Sequence, residues 1–428
     1  MEAVISAGGK GTRLGGLARE TPKCLMPIAG TTILRLQLEE LSRNGIAKAT
    51  LLTGHLGEVV EDYLRSETLP LEAAAIRESV PLGTAGGLAA LRGKIEGPFV
   101  FVYGDLVLRV DLSKMLEAHL ASKAVVTMLV HPNSHPFDSD LVLSGRDGKV
   151  RGILGKKAER AGYYGNLVNA GLYILSPKVL EGIAPGAKSD FEKEVLPPLI
   201  ADGRAFGYRT SEYVKDMGTV ERLEQVGRDL ASGSAEARRL SNRQAAVFLD
   251  RDGTVNRFAG LVSRPEQLEL LPGAAEAIRM LNDSGTLCFV VSNQSVVARN
   301  LCTMEEEEEI NRKLETLLGA RGAFLDDLRF CPHHPDAGYP GENVELKIDC
   351  ACRKPKPSMV LELAGRYNVD LSRSWMVGDT SVDVQTAKNA GLRSVLVGGG
   401  MPEPRPKYPS QPDLRAESLL AAVERILR

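Results

Sequence analysis

The sequence predicts an α/β protein with two Rossmann-like parallel-sheet domains, and three observations indicate this class. Short apolar runs alternate with helical patterns along the chain, as expected where crossover helices connect parallel strands. The length of 428 residues suggests roughly two or three domains. A polar stretch at 228–244 carries Gly and Ser and few apolar residues at its start. We therefore predict one domain at 1–233 and a second at 244–428.

The predicted strands are short runs rich in Val, Leu and Phe. In the first half they are 3–7, 49–54, 99–105 and 124–130. In the second half they are 246–250, 287–293, 374–379 and 394–399. Ligands of open parallel sheets bind at the carboxyl ends of the strands, so the polar residues that end these runs are candidate site residues.

Composition narrows the class of function. The 53 basic residues nearly balance the 55 acidic ones, so no broad field favours nucleic acid or an anionic membrane. No run approaches the ~20 apolar residues that span a bilayer, and the start lacks a basic leader. Three of the six cysteines cluster within 22 residues, which favours a metal site in a cytoplasmic protein over disulfides. Small phosphate compounds are the expected partners, and homo-oligomerisation stays open.

Polar residues of the second half form a set suited to phosphoryl transfer. They end predicted strands or lie where they could reach the same edge, and they are Asp250, Asp252, Ser292, Asn293, Lys354, Asp379 and Asp383. A carboxylate nucleophile, a second carboxylate, a hydroxyl, an ammonium and a metal-binding acid are the groups that this chemistry needs.

The motifs DRDGT, SN, KP and GD, in this order, resemble the haloacid dehalogenase superfamily over 246 to about 425. The resemblance implies that Asp250 attacks phosphorus and that Asp252 protonates the leaving oxygen and later activates water. It implies that Ser292 and Lys354 hold the phosphoryl oxygens. It also implies Mg²⁺ bound at Asp250, Asp252 and Asp379. A degenerate domain that only binds a ligand and no longer catalyses a reaction would be expected to lack some of these residues.

The loop at 331–355 holds a second set of ligands. Cys331, His333, Cys350 and Cys352 supply three thiolates and an imidazole, which predicts one structural Zn²⁺. Family resemblance favours His333 over the adjacent His334. The metal would brace the loop that carries the motif lysine.

DRDGTVN, SNQS and this loop together look like the D,D-heptose 1,7-bisphosphate 7-phosphatases, while histidinol-phosphate phosphatases share most of the pattern. The resemblance implies substrate contacts from Asn293 and Arg353. The heptose family usually shows NQSGIARG where this chain has NQSVVARN, so that Val296 and Asn300 replace glycines. Leu261 stands where a tyrosine is usual. We expect these departures to lie in substrate-facing loops.

A run of glutamates at 305–309 could suggest a metal or protein-binding site. Thr303 followed by Glu306 fits a capping box, and acidic residues favour the first turn of a helix. We therefore predict a solvated helix start.

The first half opens with the Gly-rich loop GGKGTRLGGLARETPK directly after a strand. A dinucleotide site is the alternative, but the loop lacks G-x-G-x-x-G and is closed by a Lys preceded by Pro. The residues predicted to meet a triphosphate through backbone N–H groups or charge are Gly8, Gly9, Gly11, Thr12, Arg13 and Lys23.

The pattern GGxGTRL…PK resembles the sugar-1-phosphate nucleotidyltransferases over 1 to about 230. The resemblance implies a nucleotide-diphospho-sugar transferase fold, in which a sugar 1-phosphate attacks the α-phosphorus of a nucleoside triphosphate and releases pyrophosphate. It assigns Arg13 to the triphosphate and Lys23 to the sugar phosphate. Asp105 and Asp216 would hold a Mg²⁺ ion in this domain.

By the same resemblance, Glu78 and Gly83 lie in the base-binding loop and Asn169 faces the sugar. A carboxylate can accept two donors from guanine, which favours GTP, although Glu78 could equally pair with Arg77 or face solvent. The pair Lys156-Lys157 stands where many relatives have Glu-Lys, which leaves sugar contacts there open.

The two halves together predict a bifunctional enzyme of nucleotide-activated heptose synthesis. A phosphatase that removes the 7-phosphate of a heptose 1,7-bisphosphate leaves the sugar 1-phosphate that a guanylyltransferase would consume. The alternatives are a mannose-1-phosphate guanylyltransferase fused to a histidinol-phosphate-type phosphatase, an ADP-heptose-forming transferase, and a nucleotide-sugar-binding regulator without catalysis.

Overall fold

The computed structural model describes residues 1–9, 20–398 and 406–428. These residues form two compact units, and the last of the chain positions at which they divide lies between Arg239 and Leu240. The first unit comprises Met1–Val130, Val142–Ile153 and Asn169–Arg239. The second comprises His131–Leu141, Leu154–Val168 and Leu240–Arg428. The second unit therefore includes two segments of the first half that the sequence did not assign to it.

Helices and strands alternate through the first half. The strands are β1 (Ala3–Ser6), β2 (Pro27–Ile28), β3 (Thr31–Thr32), β4 (Lys48–Thr53), β5 (Glu72–Arg77), β6 (Phe99–Tyr103), β7 (Leu106–Arg109), β8 (Val126–His131), β9 (Leu141–Ser144), β10 (Val150–Leu154), β11 (Val168–Leu175), β12 (Ala205–Arg209) and β13 (Tyr213–Asp216). The helices are α1 (Ile33–Arg43), α2 (Gly57–Ser66), α3 (Leu112–Ser122), α4 (Leu196–Ala201), α5 (Val220–Ala231) and α6 (Ser234–Ala237).

The main sheet of the first half runs β10-β9-β11-β6-β1-β4-β5, and β8 joins β11 to β12. Its centre is parallel, as predicted, and in it β1 lies between β4 and β6. The sheet as a whole is mixed, because β11 pairs antiparallel with β6 and with β9. A separate antiparallel pair joins β7 to β13. The parallel centre is buried on both sides, which explains why its strands read as continuous apolar runs.

The second half has the order strand, helix, strand that the sequence predicts. Its strands are β14 (Ala246–Leu249), β15 (Leu287–Asn293), β16 (Asp327–Cys331), β17 (Trp375–Gly378), β18 (Arg393–Val397) and β19 (Leu414–Ala416). Its helices are α7 (Ala274–Ser284), α8 (Met304–Gly319), α9 (Ser358–Arg366), α10 (Ser381–Ala390) and α11 (Leu419–Ile426).

The sheet of the second half is parallel throughout and runs β16-β15-β14-β17-β18-β19. Alternate residues of β14 enter two separate cores. Val247 and Leu249 pack in one cluster, and Ala246 and Phe248 pack in the other. The strand order places β14 and β17 in the middle of the sheet, and helices cover both of its faces. The sheet is therefore doubly wound, and the carboxyl ends of β14 and β17 lie at one edge.

One first-half segment of the second unit packs on α8. The backbone N–H of Tyr164 donates to Thr316 Oγ1 at 2.9 Å, and that hydroxyl donates to Tyr164 O at 3.1 Å.

Among the described residues, no helix combines the length and apolar character that crossing a membrane requires.

Candidate functional sites

The carboxyl ends of β14 and β17 bring together the charged groups of the second unit. Leu249 pairs with Val377 in the parallel register, so Asp250 and Asp379 leave the sheet at the same edge. The Lys354 ammonium lies 2.8 Å from Asp250 Oδ1 and 2.6 Å from Asp383 Oδ1. One carboxylate oxygen from each of Asp250, Asp379 and Asp383 lies within 4.8 Å of the others. The predicted nucleophile, lysine and metal acid are therefore neighbours.

Three carboxylates around one ammonium leave this cluster with excess negative charge. Burial raises the pKa of Asp250 to about 6, with Asp383 adding to the rise and Lys354 opposing it. Burial and the two neighbouring carboxylates raise the pKa of Asp379 to about 8. Hard oxygen ligands with unbalanced charge fit Mg²⁺, which would neutralise them.

Two glycines make room for these carboxylates. Gly253 has φ +82°, and a Cβ there would overlap Asp379 Oδ2. A Cβ at Gly378 would overlap the side chain of Asp383. The glycines of the DRDGT and GD motifs are thus required by close approach, not only by turn geometry.

The end of β15 anchors the lysine loop. Asn293 Nδ2 donates to Lys354 O at 3.1 Å, and Lys354 N donates to Asn293 Oδ1 at 2.9 Å. Ser292 is buried, and its Oγ accepts from Gln294 Nε2 at 2.9 Å. In this structure Asn293 therefore positions the backbone of Lys354, and its predicted substrate contact remains a prediction.

Asp252 lies outside the three-carboxylate cluster. Its Oδ1 accepts from Asn256 Nδ2 at 2.9 Å, and its Oδ2 accepts from Gln294 Nε2 at 2.7 Å. Arg251 Nε and Nη2 approach the two oxygens at 3.3 and 3.2 Å. Burial opposes ionisation of Asp252, but Arg251 and these hydrogen bonds lower its pKa overall. The side chain is thus held as a carboxylate beside the nucleophile, and its predicted role as a Mg²⁺ ligand gains no support from this position.

The cysteine loop gathers its four predicted ligand atoms. The Sγ–Sγ distances among Cys331, Cys350 and Cys352 are 3.2–3.4 Å, and His333 Nδ1 lies 3.3 Å from Cys352 Sγ and 3.7 Å from Cys331 Sγ. Disulfide sulfurs would lie about 2 Å apart. Zinc bond lengths of about 2.0–2.3 Å give tetrahedral edges of roughly 3.3–3.8 Å, and the observed distances of 3.2–3.7 Å lie close to that range, so the donor set suits Zn²⁺. His334 Nδ1 instead accepts from the backbone of Asp336 at 3.1 Å.

Arg353 braces the same loop, because its Nη1 donates to His333 O at 3.0 Å. This bond uses one of the five N–H donors of the guanidinium. A phosphate contact by Arg353 therefore stays a prediction.

Two departures from the heptose phosphatase pattern have structural explanations. Val296 is buried in an apolar cluster with Val297 and Cys302, so its own side chain packs inward, and the substrate-facing position of its loop stays a prediction. Asn300 has φ +56°, a left-handed conformation that glycine and asparagine adopt most readily. Leu261 is exposed, and its predicted place in a substrate-facing loop remains untested.

The glutamate run is only partly the solvated helix start that we predicted. The capping box between Thr303 and Glu306 is present at the start of α8. Glu307, however, is buried and pairs with Arg251 Nη1 at 2.5 Å. It shares the inward stripe of the helix with Ile310, Asn311 and Leu314, and that spacing is the sequence signal that could have identified it.

In the first unit, the pairing of β7 with β13 brings the predicted acids together. Leu106 lies opposite Asp216, and Met217 N donates to Asp105 O at 2.9 Å. Lys23 forms an ion pair with Asp105, and Arg222 pairs with Asp216. Burial alone would raise the pKa of Asp216, but Arg222, a backbone N–H and Lys23 lower it. The lysine and both acids therefore share one site, and Arg222 is a cation there that sequence reasoning missed.

The loop predicted to bind the base is shaped around Glu78. Its Oε2 accepts from Leu82 N at 3.0 Å, and a Cβ at Gly87 would overlap Oε1. Burial raises the pKa of Glu78. Arg77 pairs with other glutamates, Glu58 and Glu61, so the alternative of an Arg77–Glu78 pair is not seen.

Gly83 permits a close approach of a different kind from the one predicted. It has φ +81°, and a Cβ there would overlap Ser189 O. The glycine therefore lets two protein backbones meet, and closeness to a base stays a prediction.

The predicted sugar-facing residue belongs to a polar network. Asn169 Nδ2 donates to Tyr173 Oη at 2.6 Å and to Glu192 Oε1 at 2.8 Å. Glu192, which lies on a different element, was not identified from sequence. Gly8 and Gly9 follow β1 as predicted, whereas Gly11, Thr12 and Arg13 lie outside the described residues.

Comparisons with known proteins agree with this division of chemistry. Residues 2–233 match the nucleotidyl transferase family model, and residues 351–422 match the HAD-hydrolase-like model. The D-glycero-D-manno-heptose-1,7-bisphosphate 7-phosphatase of Thermosynechococcus vestitus is 42% identical over 186 residues, which are 42% of this chain and 93% of that relative.

The mannose-1-phosphate guanylyltransferase of Mycobacterium tuberculosis is 30% identical over 266 residues, which are 61% of this chain and 73% of that relative. A crystal structure of HddC from Yersinia pseudotuberculosis aligns with a TM-score of 0.48 and 26% identity, covering 54% of this chain and 99% of that one. The chain thus belongs to the nucleotidyl transferase family through residues 2–233 and to the heptose-bisphosphate phosphatase family through its second half, and is a fusion of the two.

Proposed function

We propose that this chain removes the 7-phosphate of D-glycero-D-manno-heptose 1,7-bisphosphate and then joins the resulting heptose 1-phosphate to GMP from GTP. The products are phosphate, GDP-heptose and pyrophosphate. The observation that carries the proposal is the presence of both sets of catalytic groups in one chain whose phosphatase relatives act on a heptose bisphosphate. Removal of the 7-phosphate leaves the sugar 1-phosphate that a transferase of this family would use.

In the phosphatase reaction, Asp250 attacks phosphorus as the bond from phosphorus to O7 of the sugar breaks. Asp252, an ionised carboxylate in the structure, takes up a proton when the phosphate ester binds, gives that proton to the departing oxygen and later takes one from the water that splits the aspartyl-phosphate. Lys354 and Ser292 hold phosphoryl oxygens, since both lie at the sheet edge that carries Asp250. When bound, Mg²⁺ at Asp250, Asp379 and Asp383 would supply charge neutralisation.

In the transferase reaction, the 1-phosphate of the sugar attacks the α-phosphorus of GTP in line, and pyrophosphate leaves. Lys23 orients the sugar phosphate, and Asp105 and Asp216 are suited to hold Mg²⁺ against the nucleotide phosphates. Arg13 is assigned to the triphosphate, Glu78 to the guanine edge and Asn169 to a sugar hydroxyl.

Zn²⁺ is the proposed structural metal of the loop that holds Cys331, His333, Cys350 and Cys352. Its thiolates need a reducing compartment, and we therefore propose the cytoplasm as the site of action.

The test uses the full chain and two reactions. Asp250→Asn should stop phosphate release from the bisphosphate and preserve pyrophosphate release from heptose 1-phosphate and GTP. Lys23→Ala should do the reverse. Loss of both activities in either folded variant would refute the assignment of one reaction to each half.

The second candidate is a mannose-1-phosphate guanylyltransferase, favoured by the similarity to the mycobacterial relative. The proposed heptose differs from mannose by one further carbon beyond C6. Comparing kcat/KM for mannose 1-phosphate and heptose 1-phosphate with GTP decides between them.

A further inference from the structure

We propose that Glu307 is a positioning residue of the phosphatase reaction, which acts through Arg251 on the acid–base carboxylate Asp252. The inference deepens the proposed phosphatase function and rests on it. Glu307 and Arg251 side chains are fully buried, whereas that of Asp252 is 16% exposed at the site. Charged contacts thus connect the inward face of α8, through Arg251, to Asp252, the group proposed to transfer the proton.

The guanidinium of Arg251 is held at two of its edges. On one side, Nη1 donates to Glu307 Oε1 at 2.5 Å and to Asn311 Oδ1 at 3.0 Å. On the other, Nε and Nη2 face the two oxygens of Asp252. Because the group is planar and rigid, anchoring Nη1 on α8 fixes the direction of the edge that meets Asp252.

Stability alone is a poor explanation for this arrangement. Glu307 Oε2 is buried and has no hydrogen-bond partner among the described residues, which costs desolvation energy. Apolar residues in place of both Glu307 and Arg251 would avoid that cost. The Glu307 carboxylate instead orients the Arg251 guanidinium. It also gives Arg251 a second counter-ion besides Asp252.

Proton transfer depends on this orientation most when the leaving group is a poor one. An oxygen that departs as an alkoxide needs the proton of Asp252, whereas a dinitrophenolate departs without it. A misplaced Asp252 should therefore slow phosphate esters in proportion to the basicity of their leaving groups. General loss of structure would slow all esters alike.

The experiment compares Glu307→Gln with Glu305→Gln, an exposed glutamate on the same helix. For each full-length variant, kcat/KM is measured with phenyl phosphate and with 2,4-dinitrophenyl phosphate. The parameter kcat/KM is chosen because it reports the steps up to aspartyl-phosphate formation. Glu307→Gln should lose about tenfold or more on phenyl phosphate relative to the dinitrophenyl ester. Glu305→Gln should match the wild type on both.

Equal losses on the two esters, or no loss, would overturn the proposal. If Glu307→Gln does not fold, Asn311→Leu removes the other anchor of Nη1, and it must show the same leaving-group dependence for the proposal to stand. The aryl esters contain no sugar, so a wild type that hydrolyses them but not the heptose bisphosphate would refute the proposed substrate without touching the role of Glu307.

Discussion

Replacing Lys354 by methionine tests whether one buried ammonium balances the carboxylates of the phosphatase site. The Lys354 and Asp383 side chains are each 2% exposed, and the ammonium contacts both Asp383 and Asp250. Methionine keeps much of the volume but removes the charge. Breaking a buried pair from one side leaves an uncompensated charge and costs about 3–5 kcal/mol. We expect a loss of that size in the free energy of unfolding of the second unit.

The single tryptophan of the chain allows that loss to be measured in one unit. Trp375 lies in β17, is buried, and sits beneath Arg393. Urea unfolding followed by its fluorescence therefore reports on the sheet that carries Lys354. With an m-value of about 2 kcal/mol/M, the midpoint should fall by about 1.5–2.5 M. Lys388→Met is the matched control, because its partner Asp413 is exposed and such pairs contribute about 0–1 kcal/mol.

The loss of stability caused by Lys354→Met should depend on pH. Asp250 has a pKa raised to about 6, so its contribution to stability is present at low pH and is lost as pH rises through that value. Lys354 opposes the rise, and its removal should push the pKa of Asp250 higher and extend the loss. In Mg²⁺-free buffer the gap between wild type and Lys354→Met should therefore be wider at pH 8 than at pH 5. A change no larger than that of Lys388→Met, or one independent of pH, would contradict this account.

Four further outcomes are expected. Mg²⁺ should raise the urea midpoint of the second unit more at pH 8 than at pH 5, because protons compete for Asp250 and Asp379, whose pKa values are raised to about 6 and about 8; equal shifts would argue against this site. Gly253→Ala should abolish most phosphatase activity and spare the transferase, because it adds about 1–2 kcal/mol of left-handed strain and displaces Asp379. Cys350→Ser should lower bound zinc, measured by atomic absorption, together with phosphatase activity. Glu78→Gln should weaken the preference for GTP over ATP by about 1–3 kcal/mol in relative kcat/KM, and a wild type that prefers ATP would refute the base assignment.

The sequence was sufficient for features that depend on short stretches of chain. The buried strands of both halves appear where apolar runs predict them, because parallel strands are covered on both faces. The order of motifs placed Asp250, Lys354 and Asp379 at one sheet edge for the same reason, since each follows or faces the end of a strand. The cysteine loop was readable because its ligand spacing is local.

Partners from distant elements were not predictable in this way. Gln294 belongs to the SNQS motif but had no role assigned, and Arg222 belongs to none of the motifs; only the folded chain shows that they bind Asp252 and Asp216. Glu307 was assigned to solvent with the rest of the glutamate run on the evidence of the capping box, and its partner lies 56 positions earlier. Val296 appeared to alter a substrate loop, but its environment is decided by packing against Cys302.

The charge balance of the two sites explains why they would use magnesium differently. Among the described residues of the transferase site, each acid faces a cation, since Lys23 pairs with Asp105 and Arg222 with Asp216. A divalent ion is needed there chiefly when the nucleotide adds its own negative charge. In the phosphatase site three carboxylates share Lys354, so the excess charge exists before any substrate binds. We infer that magnesium contributes to the stability of the phosphatase unit even without substrate, whereas in the transferase unit its affinity depends on the triphosphate that it accompanies.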